Sequence, residues 1–383
     1  MKFIIFGGDG FLGWPLSLRL KNQGHDVVIV DDFSRREYDA ELELRSLVPI
    51  SSPELRSEIS GINFHNIKVD QEYNKILSLF ESFNPDAIVH FAQQRSAPVS
   101  MFNNKTKVST VARNTSSTLN ILEAVKSYNK DIHVLHMGSM GVYGYNSLVP
   151  IEEGYDIDGK LLSVRPGSIY HLTKCYDQLT FEMYNRLYSL KITDLHQGVV
   201  WGSQTDETLG SPELFNRYDY DSFYGTVVNR FMAQCVAFEP LTVYGSGKHS
   251  RAFINLSDSV DCCISALTAP KIYTDKVRII NQFTEILSIN EVMHKIKHAG
   301  DKVYLKLRNP SYEDQFAVKV SNITDPRMDI VSPYSAINNS VHRLLKTPPI
   351  LLSDDIILDN CNFIGNYIKY YNKNQVIPKS FWA

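Results

Sequence analysis

The 383-residue chain exceeds the ~250–300 residues at which a single hydrophobic core stops growing, so two subdomains are expected. Hydrophobic residues make up 43% and charged residues 21%, which excludes a disordered or collagen-like chain. The 39 Lys and Arg almost cancel the 42 Asp and Glu, and a residual −3 is too small to recruit a phosphate backbone or an anionic bilayer; no nucleic acid and no membrane partner is expected.

Five cysteines is a small, odd number, and a mutual disulfide between the adjacent Cys262 and Cys263 would be strained, which suits a reducing, cytoplasmic setting. No apolar run approaches the ~18 residues of a membrane span. Lys2–Phe6 reads as a buried strand rather than as part of a secretory signal.

From residue 1 to about 140, apolar runs at Phe3–Phe6, Asp26–Val30, Asn66–Val69, Ala87–Phe91 and Ile132–His136 alternate with longer amphipathic stretches. Continuous runs suit strands covered on both faces, and their spacing leaves room for right-handed helical crossovers. The expected fold class is α/β, a Rossmann-like doubly wound parallel sheet with a smaller C-terminal α/β substrate domain. Residues 1–200 are assigned to the first domain, to which about 250–268 return; 201–249 and 269–383 form the second. There, a helix is expected through Phe231, strands at Leu241–Tyr244 and Val277–Asn281, and irregular chain at Asn309–Val331. A last helix runs from about Ser353 to Tyr371, with Asp354 and Asp355 favourable at its N-terminus.

Directly after the first strand, Gly7-Gly8-Asp9-Gly10-Phe11-Leu12-Gly13 sets glycines at 7, 10 and 13 where a helix begins. The first permits a tight turn, the second lets backbone N–H groups approach a pyrophosphate, and the third lets helix and strand pack closely. Alone this is a weak signal. The second strand, however, ends in Asp31-Asp32, where a carboxylate can accept the hydroxyls of an adenosine ribose and repel a 2′-phosphate, so NAD is expected over NADP. Arg35 and Arg36 are the positions that would receive that phosphate instead. Asp70 either bonds the adenine amino group or caps a helix.

Ser139, Tyr170 and Lys174 are the expected catalytic residues. Tyr170 and Lys174 stand at i and i+4 on one helix face, where the ammonium can lower the phenol's pKa. Ser139 follows the fifth strand and can hydrogen-bond the substrate hydroxyl that Tyr170 deprotonates as a hydride leaves to NAD. A bare Tyr-x-x-x-Lys is common by chance; its place after a glycine-loop domain and a Ser-bearing strand gives it weight.

The glycine loop, the run Gly138-Ser139-Met140-Gly141-Val142-Tyr143-Gly144 and the Tyr170–Lys174 pair together resemble the extended short-chain dehydrogenase/reductases that act on nucleotide sugars. Longer strings are more specific: Gly7–Trp14, His90 through Pro98, Tyr170-His171-Leu172-Thr173-Lys174, Gln197–Gly202, Thr205–Thr208, Tyr218–Asp221 and Asn281–Glu285. These resemble the UDP-sulfoquinovose synthase family nearly end to end.

The resemblance implies an NAD retained through the cycle, UDP-glucose and sulfite as substrates, and a homodimer. The C4 hydroxyl is oxidised, water leaves across C5 and C6, sulfite adds at C6, and C4 is reduced again. It implies cofactor contacts at Phe11, Leu12, Phe33, Ser34, Arg35, Asn114 and Val200, and no metal. It places Arg95 at the sugar and sulfite end, where a guanidinium suits an anion. His171 is a candidate for sulfite contact or proton transfer, or a core histidine. Gln197, Arg217, Thr242, Val243, Tyr244 and Arg251 map onto nucleotide-sugar contacts, two cations answering a diphosphate; Tyr244 either covers the uracil or is core. The chain departs from the family at Ser139, where a Thr is usual, and at Val142, where a Glu is usual. It also has Arg113-Asn114 in place of an Asn pair.

Two other readings compete. A 4-epimerase or 4,6-dehydratase would share the scaffold, although Met140-Gly141 lacks the Asp-Glu pair of dehydratases. An NAD-binding regulator would typically have lost Tyr170 or Lys174. For the homodimer, the helices near Asn114–Val125 and Ser168–Tyr188 carry more apolar residues than one core face needs, among them Leu119, Leu122, Leu172, Leu179 and Phe181.

Overall fold

The structure, a computed structural model, describes residues 1–145, 149–162, 164–268, 275–306, 317–327 and 334–379. Its strands in chain order are β1 (Lys2–Phe6), β2 (Asp26–Asp31), β3 (Asn63–Asn66), β4 (Ala87–His90), β5 (His133–Ser139), β6 (Lys191–Gln197) and β7 (Val199–Trp201). They continue with β8 (Leu241–Tyr244), β9 (Ser250–Asn255), β10 (Arg278–Gln282), β11 (Glu285–Ser288) and β12 (Val320–Ile323). Seven of them form one sheet in the order β10-β6-β5-β4-β1-β2-β3, with every neighbouring pair parallel. The direction of winding reverses between β1 and β4, and the crevice beyond their C-terminal ends is where such sheets bind ligands.

Alternation along β1 explains the layers. Phe3 and Ile5 face a core shared with the helices Gly13–Asn22 and Leu256–Leu267, while Ile4 and Phe6 face one shared with Tyr73–Phe83, Asn104–Tyr128 and Ile169–Tyr188. All four side chains are fully buried, each contributing roughly 1.5–3 kcal/mol. The second lobe carries the sheet β11-β9-β7 and the pair β12-β8, around a core that includes Trp201, Tyr218, Phe231, Val243 and Phe253.

Several elements differ from the sequence expectation. The third strand is Asn63–Asn66, not Asn66–Val69: an edge strand pairs on one side only and needs no continuous apolar run. Ile67 and Val69 instead follow it into the core with Phe80. The run at Val277–Asn281, expected in the second lobe, supplies β10, which closes the large sheet beside β6. The last helix ends at Gly365, followed by a single turn at Ile368–Tyr370. Within the stretch expected to be irregular, Val320–Ile323 pairs with β8, while 309–316 and 328–331 lie outside the described residues. Among the described residues, no helix is long and apolar enough to cross a membrane.

Candidate active site

A cleft with about 1220 Å³ of atom-free space, its solvent mouth included, opens at the β1–β4 switch point. Gly7, Gly10, Phe11, Leu12 and Gly13 line it, where the helix Gly13–Asn22 begins. Gly7 has φ +81°, and a Cβ there would lie 2.6 Å from the carbonyl carbon of Phe91. A Cβ on Gly13 would lie 2.3 Å from the Gly7 carbonyl oxygen. No larger residue fits either position, and the exposed cradle with a helix N-terminus suits the pyrophosphate of a dinucleotide.

Asp31, Asp32, Ser34 and Asp70 line the end expected to take the adenosine. Asp31 accepts from the backbone N–H groups of Asp9 and Phe33, both at 2.9 Å. Burial, with the charge of Asp9 behind it, pushes its carboxyl up to about 7. Asp32 is paired with Arg113, which also donates to Ser34 Oγ at 3.2 Å and lies 3.8 Å from Asp70. Arg35 lines the cleft, but it is bound to Asp39 and to Asp219 and lies 3.6 Å over the Tyr224 ring, while Arg36 grips Asp9 at 2.7 and 3.1 Å. Both arginines read as 2′-phosphate candidates are thus committed to carboxylates.

Tyr170 and Lys174 also line the cleft. Ser168 caps their helix, its Oγ accepting from His171 N–H, and this fixes the first turn on which Tyr170 sits. Lys174 is buried, its Nζ donating to Met137 O at 2.5 Å and to Gln93 Oε1, and lying 5.7 Å from the Tyr170 ring centroid. The expected lowering of the phenol is not what this arrangement gives. Burial, followed by Tyr145, holds Tyr170 above the usual tyrosine value, and the opposing pulls come from Arg95 and a hydrogen bond with Ser139. The ammonium is drawn back toward Met137 and Gln93 instead of sitting against the hydroxyl. Ser139 ends β5, and its Oγ accepts from Gly141 N at 3.1 Å. Asn114 lines the cleft but is fully engaged: Oδ1 accepts from Gln94 N at 2.8 Å, and Nδ2 donates to Gln94 O and Thr173 Oγ1, each at 3.0 Å.

Arg95, Gln197 and Arg217 also line the cleft. Arg95 and Arg217 converge on Asp219, at 2.5 and 3.1 Å, and Arg217 also holds Asp39 at 2.5 Å. Arg217 is buried, and its Nη1 has no hydrogen-bond partner among the described residues. Gln197 donates to Ser259 Oγ and Gln282 Oε1.

Other expected contacts are not among the lining residues. Phe33 stacks on Phe64, and Val200 is in the core. His171 is packed over Gly141, its Nδ1 3.0 Å from Ser168 Oγ; burial, Arg251 and Lys174 hold it down to about 4, so it is neutral near pH 7. Thr242 bonds Gln234, Val243 is core, and Tyr244 lies under Arg230 at 4.1 Å. Arg251 stacks on Tyr145 at 3.8 Å, beside His171 rather than on the cleft wall. Val142, where an acid was noted as missing, is fully buried.

Residues to which the sequence assigned no role matter as much. Gln93, Arg113 and Tyr224 line the cleft, and Asp219 joins three arginines. Gln93 and Asp219 lay within strings already quoted, a signal that was present but not assigned a role. Among the described residues, no group of His, Cys, Asp and Glu is arranged to hold a metal ion.

The model of the NAD dependent epimerase/dehydratase family matches residues 3–279. The chloroplastic UDP-sulfoquinovose synthase of Spinacia oleracea is 33% identical over 393 aligned residues, covering 100% of this chain and 79% of that protein. The UDP-sulfoquinovose synthase of Sulfolobus acidocaldarius is 37% identical over 326 residues, covering 82% of each. Among solved structures, the UDP-glucose 4-epimerase of Thermus thermophilus in complex with NAD superposes with a TM-score of 0.67 at 20% identity, covering 94% of this chain and 99% of that one, a likeness of fold.

Proposed function

The chain belongs to the NAD dependent epimerase/dehydratase family and, within it, to the UDP-sulfoquinovose synthases, and from that premise we propose that it converts UDP-glucose and sulfite to UDP-sulfoquinovose. One observation carries the reading: Tyr170, backed by Lys174, and the Arg95 guanidinium line the same cleft as the glycine cradle. An oxidising pair and an anion-binding group therefore address one bound sugar.

The cradle of Gly7, Gly10 and Gly13 holds the pyrophosphate of NAD, and Asp31 the adenosine ribose. When bound, NAD would supply the hydride acceptor and donor that oxidation and later reduction at C4 require. Tyr170 takes the C4 hydroxyl proton, with Ser139 hydrogen-bonded to the same oxygen. The resulting 4-ketone acidifies the C5 hydrogen; the C5 proton and the C6 hydroxyl leave as water, forming a C5–C6 double bond conjugated to the ketone. The sulfur lone pair of sulfite attacks C6, and C5 regains a proton. Arg95 neutralises the incoming anion. Arg217, with an unpartnered Nη1, is the candidate for the diphosphate of UDP-glucose.

An exposed apolar face supports a homodimer. Leu172, Tyr176, Leu179, Met183 and Leu187 follow one another at helical spacing on Ile169–Tyr188, next to Val108 and Val111 on Asn104–Tyr128, and all seven are exposed. Of the residues first read as that face, Leu122 and Phe181 belong to the core instead. The five cysteines form no disulfide and four of them are buried, in keeping with a cytoplasmic setting.

Purified protein incubated with UDP-glucose and sulfite tests the reading by mass spectrometry. The expected product is heavier than the substrate by one SO₂. A product of unchanged mass would make the protein an epimerase, and one lighter by a single water a dehydratase.

A further inference from the structure

Behind Lys174 the apolar layer between sheet and helices is interrupted by a cluster of ionisable side chains that the reaction does not use directly. Asp177 stands three residues after Lys174 on the helix Ile169–Tyr188, so both point at the same strands. His136 on β5 pairs in register with Asp194 on β6, and Gly138 with His196, which sets all four on one face of the sheet. Glycine is required at 138, because a Cβ there would lie 2.6 Å from both Asp194 Oδ1 and His196 Cδ2.

The contacts form a chain. Lys174 Nζ lies 3.3 Å from His136 Nε2; His136 Nδ1 lies 2.8 Å from Asp194 Oδ1. Asp194 Oδ2 lies 3.0 Å from His196 Nε2, and His196 Nδ1 lies 2.7 Å from the Tyr143 hydroxyl. Asp177 accepts from Thr118 Oγ1 at 2.6 Å and Gln93 Nε2 at 2.9 Å, and is 3.4 Å from His136 Nε2. From β4, the His90 ring faces His136 at 5.4 Å, and Gln93 Oε1 approaches its Nε2 at 3.4 Å. Asp177, His136, Asp194 and His196 are each at most 1% exposed. Two carboxylates this deep are strongly destabilising unless positive charge and donors compensate them.

Donation from His136 Nδ1 to Asp194 leaves Nε2 as an acceptor facing Lys174, as a carboxylate orients an imidazole elsewhere. We propose that His136 and Asp194 are positioning residues for Lys174: the carboxylate fixes the imidazole, the imidazole helps hold the ammonium beside Met137 O and Gln93 Oε1, 5.7 Å from the Tyr170 ring, and Asp177 and Asp194 balance its charge. This rests on Tyr170 and Lys174 being the pair that oxidises C4.

A pH consequence separates this role from mere packing. Burial pulls Lys174 below the usual lysine value, and Asp177 and Asp194 oppose that pull. Removing either carboxylate makes Lys174 lose its proton at lower pH, so the alkaline limb of C4 oxidation moves toward neutrality.

The test is the single-turnover reduction of the NAD-loaded enzyme by UDP-glucose, followed at the reduced-nicotinamide absorbance across neutral and alkaline pH. The variants are Asp194→Asn, Asp177→Asn, His136→Gln and His136→Leu, each first checked by thermal melting and by NAD titration. Expected are a rate lowered about tenfold or more and an alkaline limb shifted by about one pH unit in both Asp variants. His136→Gln, which keeps an acceptor, should retain more rate than His136→Leu. Parent rates and an unmoved limb in folded, NAD-binding Asp177→Asn and His136→Leu proteins would overturn the proposal, whether or not Asp194→Asn folds. Tyr170→Phe runs in parallel: if it still reduces the cofactor, the oxidation reading fails; if it is silent while the network variants match the parent, only the positioning role fails.

Discussion

Arg95 Nη2 stands 2.5 Å from Oδ2 of Asp219, so the cation that reaches into the cleft is tethered to a carboxylate contributed by the second lobe. Arg35 and Arg217 bind the other oxygen of the same group, each at 3.1 Å. Burial would neutralise Asp219, but Arg217, Arg35 and Arg95 outweigh it and hold its carboxyl well below the usual range. An anion entering here therefore meets arginines already oriented, with little reorganisation left to make.

Arg95→Ala should separate the two halves of the reaction. Transient reduction of bound NAD by UDP-glucose should persist, because Tyr170 and Lys174 remain in place, although it should need a higher pH once Arg95 no longer pulls the phenol down. Formation of the sulfosugar should fall by roughly 2–3 kcal/mol, the lower part of the range for a desolvated charge partner. The lower part applies because the side chain is still 38% exposed. Sulfosugar made at the parent rate would show that Arg95 does not serve the sulfite step.

Cofactor choice is predicted to respond with opposite signs at two neighbouring acids. Asp31 occupies the ribose position, so NAD should bind better than NADP, and Asp31→Ala should narrow the preference. Asp32 is neutralised by Arg113; Arg113→Ala frees that carboxylate beside any 2′-phosphate and should widen the preference. Direct titration with both nucleotides reads both effects, and equal affinities in the parent protein would contradict the role of Asp31.

The glycine loop is also braced by charge. Asp9, 5% exposed, accepts from Arg56 at 2.6 Å and from Arg36 at 2.7 Å. Burial raises its pKa, but Arg56 and Arg36 overcome this and leave it below the usual value. Its stabilising contribution is therefore present above the unfolded-state value of about 3.9 and is lost as pH falls through the lower folded value. Asp9→Asn strands two arginines, one of them buried, and should cost about 3–5 kcal/mol near pH 7. Denaturant unfolding at neutral and acidic pH should show the gap between parent and variant close on acidification.

Local spacing made part of this site legible. Gly7, Gly10 and Gly13, Asp31, and the Tyr170–Lys174 pair are each defined by a turn, a strand end or one helical turn, so sequence distance translates into geometry. The support behind Lys174 was not legible, because His136 and Asp194 lie 58 residues apart and meet only through the pairing of β5 with β6. Edges misled in the same way: Asn63–Asn66 is polar because one side of β3 has no partner strand, and β10 reaches the large sheet only after the chain has visited the second lobe. Thr242–Tyr244 was placed correctly as a strand, yet strand assignment says nothing about which wall it faces, and Val243 faces the core.

The last prediction concerns assembly. Leu179 is 57% and Leu187 54% exposed on a helix whose other face carries Lys174, Asp177 and Phe181 into the core. A row of large apolar side chains in water gains roughly 25 cal/mol for each Å² it can cover, and a second copy of the same helix pair related by a two-fold axis covers it without leaving an open end. Leu179→Glu places a charge at the middle of that row, where it would face its own symmetry mate. The parent protein should scatter light as a dimer at micromolar concentration and the variant as a monomer, with the melting temperature lower and dependent on protein concentration only in the parent. Because the face lies on the same helix as Tyr170, loss of the dimer should also loosen the first turn and weaken NAD retention on dialysis. A parent protein that is monomeric under these conditions would refute the homodimer and leave the exposed row without that explanation.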